Sequence, residues 1–89
     1  MNAIIAVFGH DQMGIVAKMS VVCAENNANV MEVNQTLMQE YFAMIMLVDV
    51  TKLSCGFSDF AETCAQAGKE MGLTVHVMHE EIFNSMHRI

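Results

Sequence analysis

Basic residues are scarce: Lys18, Lys52, Lys69 and Arg88 stand singly against ten acidic side chains, for a formal net charge of -6. Tracking a phosphate backbone takes clustered lysine and arginine, so nucleic acid and anionic membrane are excluded as expected partners. Acidity points instead to solubility and to a preference for cationic or zwitterionic ligands. Long apolar runs are also missing. The longest, Phe42 to Val48, is far short of the roughly 20 residues that span a bilayer. No basic leader precedes a small-residue cleavage site, and Met1 to Phe8 is too short for a signal segment, so a cytoplasmic location is expected. Cys23, Cys55 and Cys64 form no close pair with metal-knuckle or redox spacing, and reduced thiols are the simplest account.

Several chemistries lack their residues. Neither Gly-x-Gly-x-x-Gly nor Gly-Lys-Ser/Thr occurs, leaving dinucleotides and nucleoside triphosphates without support, and no cofactor is expected. His10 and Asp11 stand together, but no serine or cysteine in their loop completes a nucleophilic arrangement, so no catalytic residue is assigned and the chain is not expected to be an enzyme. Phe8, Tyr41 and Phe42 have no basic neighbours of the kind RNA-binding sheets use. The only arginine, Arg88, is in the tail, away from any corner where an acylphosphatase-like site would need it. His76, His79, Glu80, Glu81 and His87 match no zinc spacing, which favours a polar surface over a metal site.

What is present is apolar. Hydrophobic residues make up 54% of the 89 residues and charged residues 16%, against about 25% charged in an ordinary soluble domain. Such a length holds one domain, residues 1–89, and a domain this small buries only about 60% of its unfolded surface. The surplus is expected to meet a partner, with ten methionines serving as adaptable packing for core and interface.

Ala3 to Phe8 reads as a buried strand. Helical spacing follows from Met13, with Ile15, Met19, Val22 and Asn26 on one side and Asp11 or Gln12 as the candidate cap. Asn26 to Asn29 breaks the helix. Val30 to Met38 is a strand whose imperfect alternation suggests a bulge or an edge position. Gln39-Glu40 links it to the strongest strand, Tyr41 to Val50, with Phe42, Met44, Met46, Val48 and Val50 on one face. A second helix runs from Phe57 to a C-cap at Gly72. Leu73, Val75 and Val77 alternate in a last strand, and Glu80 to His87 forms a short terminal helix carrying Ile82, Phe83 and Met86. Right-handed crossovers turn this order into an α+β, ferredoxin-like β-α-β-β-α-β sandwich: a four-stranded antiparallel sheet with two helices on one face. The other face inherits Ile4, Ala6, Phe8 or their alternates and the row from Tyr41 to Leu47, so a homodimer or higher homo-oligomer is expected.

The stretch Gly9 to Val16 is a strand-to-helix corner. Gly14 removes a side chain from the first turn and leaves backbone N–H groups approachable by an anion or carboxylate; alternatively it only lets helix and sheet pack closely. Gly9-x-Asp11-x-x-Gly14-Ile15-Val16, the helix to Asn26, Asn29-Val30, Gln35-Thr36, Tyr41-Phe42-x-Met44 and Ile82-Phe83-x-x-Met86 together resemble the ACT domain family, in particular its small stand-alone UPF0237 members found in bacteria. The resemblance covers essentially the whole chain. It implies a regulatory or sensing module that binds an amino acid or similar metabolite where domains meet. The implied ligand contacts are His10, Asp11, Gln12, Met13, Gly14 and Ile15, with Asn29 and Val30 contributed from the second strand of the same or a neighbouring subunit. His10 occupies a variable position of the motif, and no catalytic domain is attached. The implied partners are therefore another copy and a separate enzyme or regulatory protein; the alternatives are a homo-oligomeric interaction adaptor with no small ligand and, after it, a small enzyme.

Overall fold

The computed structural model describes residues 1–86; His87 and Arg88, named above, lie outside them. Strand β1 (Asn2–His10) leads to helix α1 (Ile15–Glu25), strands β2 (Asn29–Met38) and β3 (Tyr41–Asp49), helix α2 (Phe57–Glu70), strand β4 (Thr74–His79) and helix α3 (Glu80–Met86). The four strands form one sheet in the order β2-β3-β1-β4, with every neighbouring pair antiparallel. This is the ferredoxin-like architecture that the order of elements implied.

Period-two alternation divides each strand between two environments. Ala3, Ile5 and Val7 of β1 and Phe42, Met44, Met46 and Val48 of β3 face the helices. There they meet Ile15, Met19, Val22 and Cys23 of α1 and Phe60, Cys64 and Ala67 of α2. No polar or charged residue is buried among the described residues, so this core is held by apolar burial and dispersion alone. Each large side chain contributes about 1.5–3 kcal/mol on transfer from water. Close approach of α2 to β4 depends on Gly68, where a β-carbon would overlap Val75. The helix then ends in a Schellman turn: Gly72 sits at φ 73°, its N–H reaches Lys69 O at 3.0 Å, and the Leu73 N–H reaches Gly68 O at 2.8 Å.

The opposite face carries the alternate residues. Cross-strand register aligns Asn34, Ile45, Ala6 and His76 in one row, Thr36, Ala43, Phe8 and Thr74 in the next, and Met38, Tyr41 and His10 in a third. Phe8 is 43%, Tyr41 52% and Ile45 38% exposed. Ile4 and Ala6 depart from the expectation of a wholly uncovered face. Both are buried, since β1 is an inner strand flanked by β3 and β4, and α3 lies against β1 and β4 at the end nearer Ile4.

Strand β2 is both bulged and at an edge. Val30 pairs with Val48 and Glu32 with Leu47, leaving Met31 as an extra residue between them. From Met31 to Met38 every residue is exposed; α2 packs on β4 at the opposite edge, and α1 touches β2 only slightly. The turn into β3 is the two-residue link Gln39-Glu40, with Gln39 at φ 56°.

Candidate functional site

The corner after β1 is shorter and tighter than its sequence suggests. Gly9 and His10 remain in the strand, paired with Phe42 and Tyr41. The Asp11 N–H donates to Glu40 O at 2.7 Å, which fastens the corner to the β2–β3 turn. The Gln12 side-chain amide donates to Met71 O at 2.8 Å and to His10 O at 3.4 Å, fastening it to the end of α2. Neither Asp11 nor Gln12 caps α1, and the helix starts at Ile15, two residues later than expected. Its N-cap is Gly14 at φ 88°, with no side-chain cap hydrogen bond. The first bond of the helix is Lys18 N–H to Gly14 O, 2.9 Å, so the N–H groups of Ile15, Val16 and Ala17 precede the intrahelical ladder at the positive end of the helix dipole.

The requirement for glycine here is conformational. Nothing lies within 4 Å of where a Gly14 β-carbon would sit, so the close-packing alternative does not describe this position; the left-handed backbone does. The space beside Gly14, where a side chain would stand, is therefore open. Met13 protrudes at the apex, 96% exposed, and the His10 ring lies 5.2 Å from that of Tyr41. His10 to Ile15 thus form one group at one end of the sheet.

Asn29 and Val30 are at the other end. They open β2, whose ten residues carry the chain back about 30 Å at roughly 3.3 Å per residue, so within one chain they do not meet Gly14. There they line an open cavity of about 810 Å³ with Ala24, Asn27, Ala28, Asp49, Thr51 and Lys52. The last three were not singled out from sequence; the available signal was Asp49, the one charged residue of β3, placed opposite Asn29 in the register. Hydrogen bonding by Thr51, first through its hydroxyl and then through its backbone N–H at 2.9 Å, holds the Asp49 carboxyl below its ordinary range, with smaller help from the N-terminal ammonium and Lys52 against a small opposing effect of burial. The cavity therefore presents a carboxylate and an ammonium beside the amides of Asn27 and Asn29.

The remaining candidates separate. His76 is on the open face opposite Ala6, whereas His79 belongs to the helix-side row and stacks on Phe57 at 3.9 Å between ring centroids. Phe42 is in the core, apart from the exposed Phe8 and Tyr41. Cys23 and Cys64 are buried, and burial pushes their thiols up to about 11 and about 12 respectively. Cys55 is half-buried, with its thiol 3.5 Å from Asn26 Oδ1.

The sequence profile of the ACT domain family matches residues 2–78. The chain belongs to the ACT domain family. Its relatives include UPF0237 proteins of Methanocaldococcus jannaschii, 48% identical over 88 residues (99% of this chain and 98% of that one), and of Clostridium perfringens, 43% identical over the whole of both chains. The group is thus archaeal as well as bacterial, wider than the bacterial setting first expected. Among solved structures, an ACT domain protein from Streptococcus pneumoniae superposes with a TM-score of 0.81 at 31% identity over 93% of each chain. The ligand-free regulatory subunit of aspartate kinase from Thermus thermophilus gives 0.58 at 25% identity, over 85% of this ACT domain and 49% of that chain. Membership places the domain among regulatory, small-ligand-binding modules.

Proposed function

We propose that this ACT domain is a non-catalytic sensor that binds a free amino acid or similar zwitterionic metabolite between two copies of itself in the cytoplasm. The carrying observation is the Gly14 corner, where the helix start has no side-chain cap and the space beside Gly14 is open. Such a corner suits a carboxylate. The two half-sites lie at opposite ends of β2, and β2 is a free edge. Antiparallel pairing of β2 with its symmetry mate reverses one strand against the other. The start of one β2, with Asn29 and Val30, then lies beside the partner's β2–β3 turn, to which the Asp11 corner is hydrogen-bonded. One arrangement thereby brings all eight candidate residues around a shared pocket, with Asp49 available for the ligand's ammonium. A separate enzyme or regulatory protein would read the occupied state, in keeping with the regulatory role of the aspartate kinase subunit of similar fold.

Thermal unfolding against each amino acid at about 10 mM tests this. A ligand at 100 times its Kd stabilises the folded state by about 2.7 kcal/mol, or on the order of 10–20 °C for a chain of this length. One amino acid, or a chemically related few, should raise Tm, and Gly14→Ala and Asn29→Ala should each remove most of that rise. A flat response across the panel sinks the proposal.

A further inference from the structure

The cavity beside Asn29 and Val30 holds a cation that a ligand's ammonium and α-carboxylate do not need. Thr51 and Lys52 form the bend after β3, and this bend is held on both sides. The Leu53 N–H reaches Val50 O at 3.2 Å, and the Ser54 N–H reaches Asn26 O at 3.0 Å, which fastens the bend to the end of α1. The Lys52 backbone is thereby fixed at the wall it shares with Asp49, Asn27 and Asn29. Its ammonium is near enough to Asp49 to favour the ionised carboxyl there, yet among the described residues it forms no ion pair. Lys18, which lines a groove between α1 and α2, is instead tied to Glu70 at 3.0 Å. A chain with ten acidic side chains thus leaves one lysine without a carboxylate in the wall of a cavity.

In the shared pocket proposed above, the Gly14 corner takes the α-carboxylate and Asp49 the ammonium, which leaves the ligand's side chain to meet the rest of this wall. Its apolar members, Ala24, Ala28 and Val30, are small, and Ala28 is already buried, so a large aliphatic or aromatic side chain gains little there. The Thr51 hydroxyl is engaged with Asp49. Three donors remain: the carboxamides of Asn27 and Asn29 and the Lys52 ammonium. A cationic side chain is repelled by Lys52, and a neutral one leaves its charge without a partner. A carboxylate satisfies all three donors, and its hydrogen bond from the ammonium is of the strong, charge-assisted kind.

We infer that the ligand is a dicarboxylic amino acid, whose side-chain carboxylate is held by Lys52 with the carboxamides of Asn27 and Asn29. This specificity rests on the intersubunit site proposed above. Each charged group of the ligand then faces its opposite: the α-carboxylate the amide end of α1, the ammonium Asp49, and the second carboxylate Lys52. The acidity of the chain as a whole does not prevent this, because charges farther away than about 8 Å are largely screened at physiological ionic strength. The local cation decides.

Isothermal titration calorimetry of the full-length protein with aspartate, glutamate, asparagine, glutamine, leucine and lysine, at one pH and ionic strength, tests this. One of the two acids should bind at least about tenfold more tightly than its own amide, the factor that a hydrogen bond to a charged group supplies. Leucine and lysine should bind more weakly still. Lys52→Met should bring the acid-to-amide ratio close to one, and Lys52→Arg, which keeps the charge, should preserve most of it. Circular dichroism checks that each variant is folded, and a misfolded Lys52→Met chain is replaced by Lys52→Gln, for which the same collapse of the ratio is expected. A neutral amino acid that binds as tightly as either acid, or an acid preference that Lys52→Met leaves intact, overturns the assignment of ligand class. In that event, binding that Gly14→Ala removes still upholds the underlying site. Absence of binding by every amino acid in the panel overturns both.

Discussion

The two faces of this sheet are built from the same strands, often from adjacent residues, and differ in almost everything else. In β3, Met44 and Met46 are wholly buried while Ile45 between them is 38% exposed. Both kinds of residue are apolar, so side-chain type does not decide burial; what packs above each face does. Two helices with an unbroken apolar stripe cover one face, whereas on the other only the centre of β1 is fully shielded. The covered face accounts for the stability of the single chain, and the open one contributes little to it.

That contrast is tested most sharply inside β3. Met46→Ala removes three heavy atoms from a core with no water to fill the space, and should cost about 2–5 kcal/mol. Ile45→Ala should cost less than about 1 kcal/mol. Urea titration of both variants decides, and equal losses would erase the distinction between the faces.

A smaller effect is expected where helix meets sheet. Gly68→Ala introduces a β-carbon into the space held by Val75, and overpacking of this kind costs about 1–3 kcal/mol. Helix propensity alone would make alanine better by about 1 kcal/mol, so the sign of the change in Tm reports which effect wins. Stabilisation would mean that α2 can lift from β4 at little cost.

The smallest effect concerns the thiols. Burial raises Cys23 to about 11 and Cys64 to about 12, above the ordinary value they take when unfolded. Their neutral forms therefore add stability that is fully present below the ordinary thiol range, about 8.5, and is lost as pH rises through about 11 to about 12. Disulfide-exchange labelling of native protein at about pH 8 should modify half-buried Cys55 alone, with Cys23 and Cys64 reacting only on unfolding. Simultaneous labelling of all three would show that the covered face opens readily.

The strands could be read from sequence wherever alternation is strict. Phe42 to Val50 announces both its conformation and its inner face, and Gly72 announces the end of α2 because few other residues take its backbone angle. The start of α1 was harder. Asp11 and Gln12 are ordinary capping types, yet backbone and side-chain bonds to Glu40 and Met71 engage them elsewhere, partners far away in sequence. Burial of Ile4 depends on its place in an inner strand, which alternation does not encode. The candidate corner was legible as a group. Its separation from Asn29 and Val30 was not, because chain order says nothing of which end of a strand a residue occupies until the sheet is assembled. Asp49 carried one signal, as the sole charged residue of an otherwise apolar strand, and Lys52 carried none.

The bulge in β2 has an evolutionary consequence. Because Met31 is the surplus residue opposite β3, the strand can lose one position there and become regular, with every later side chain still on its own side. A one-residue deletion farther along β2 would instead invert the rest of the strand, exchanging Val33 and Leu37 for their polar neighbours. Length variation among related chains is therefore expected to gather at this one point of an edge that otherwise admits none.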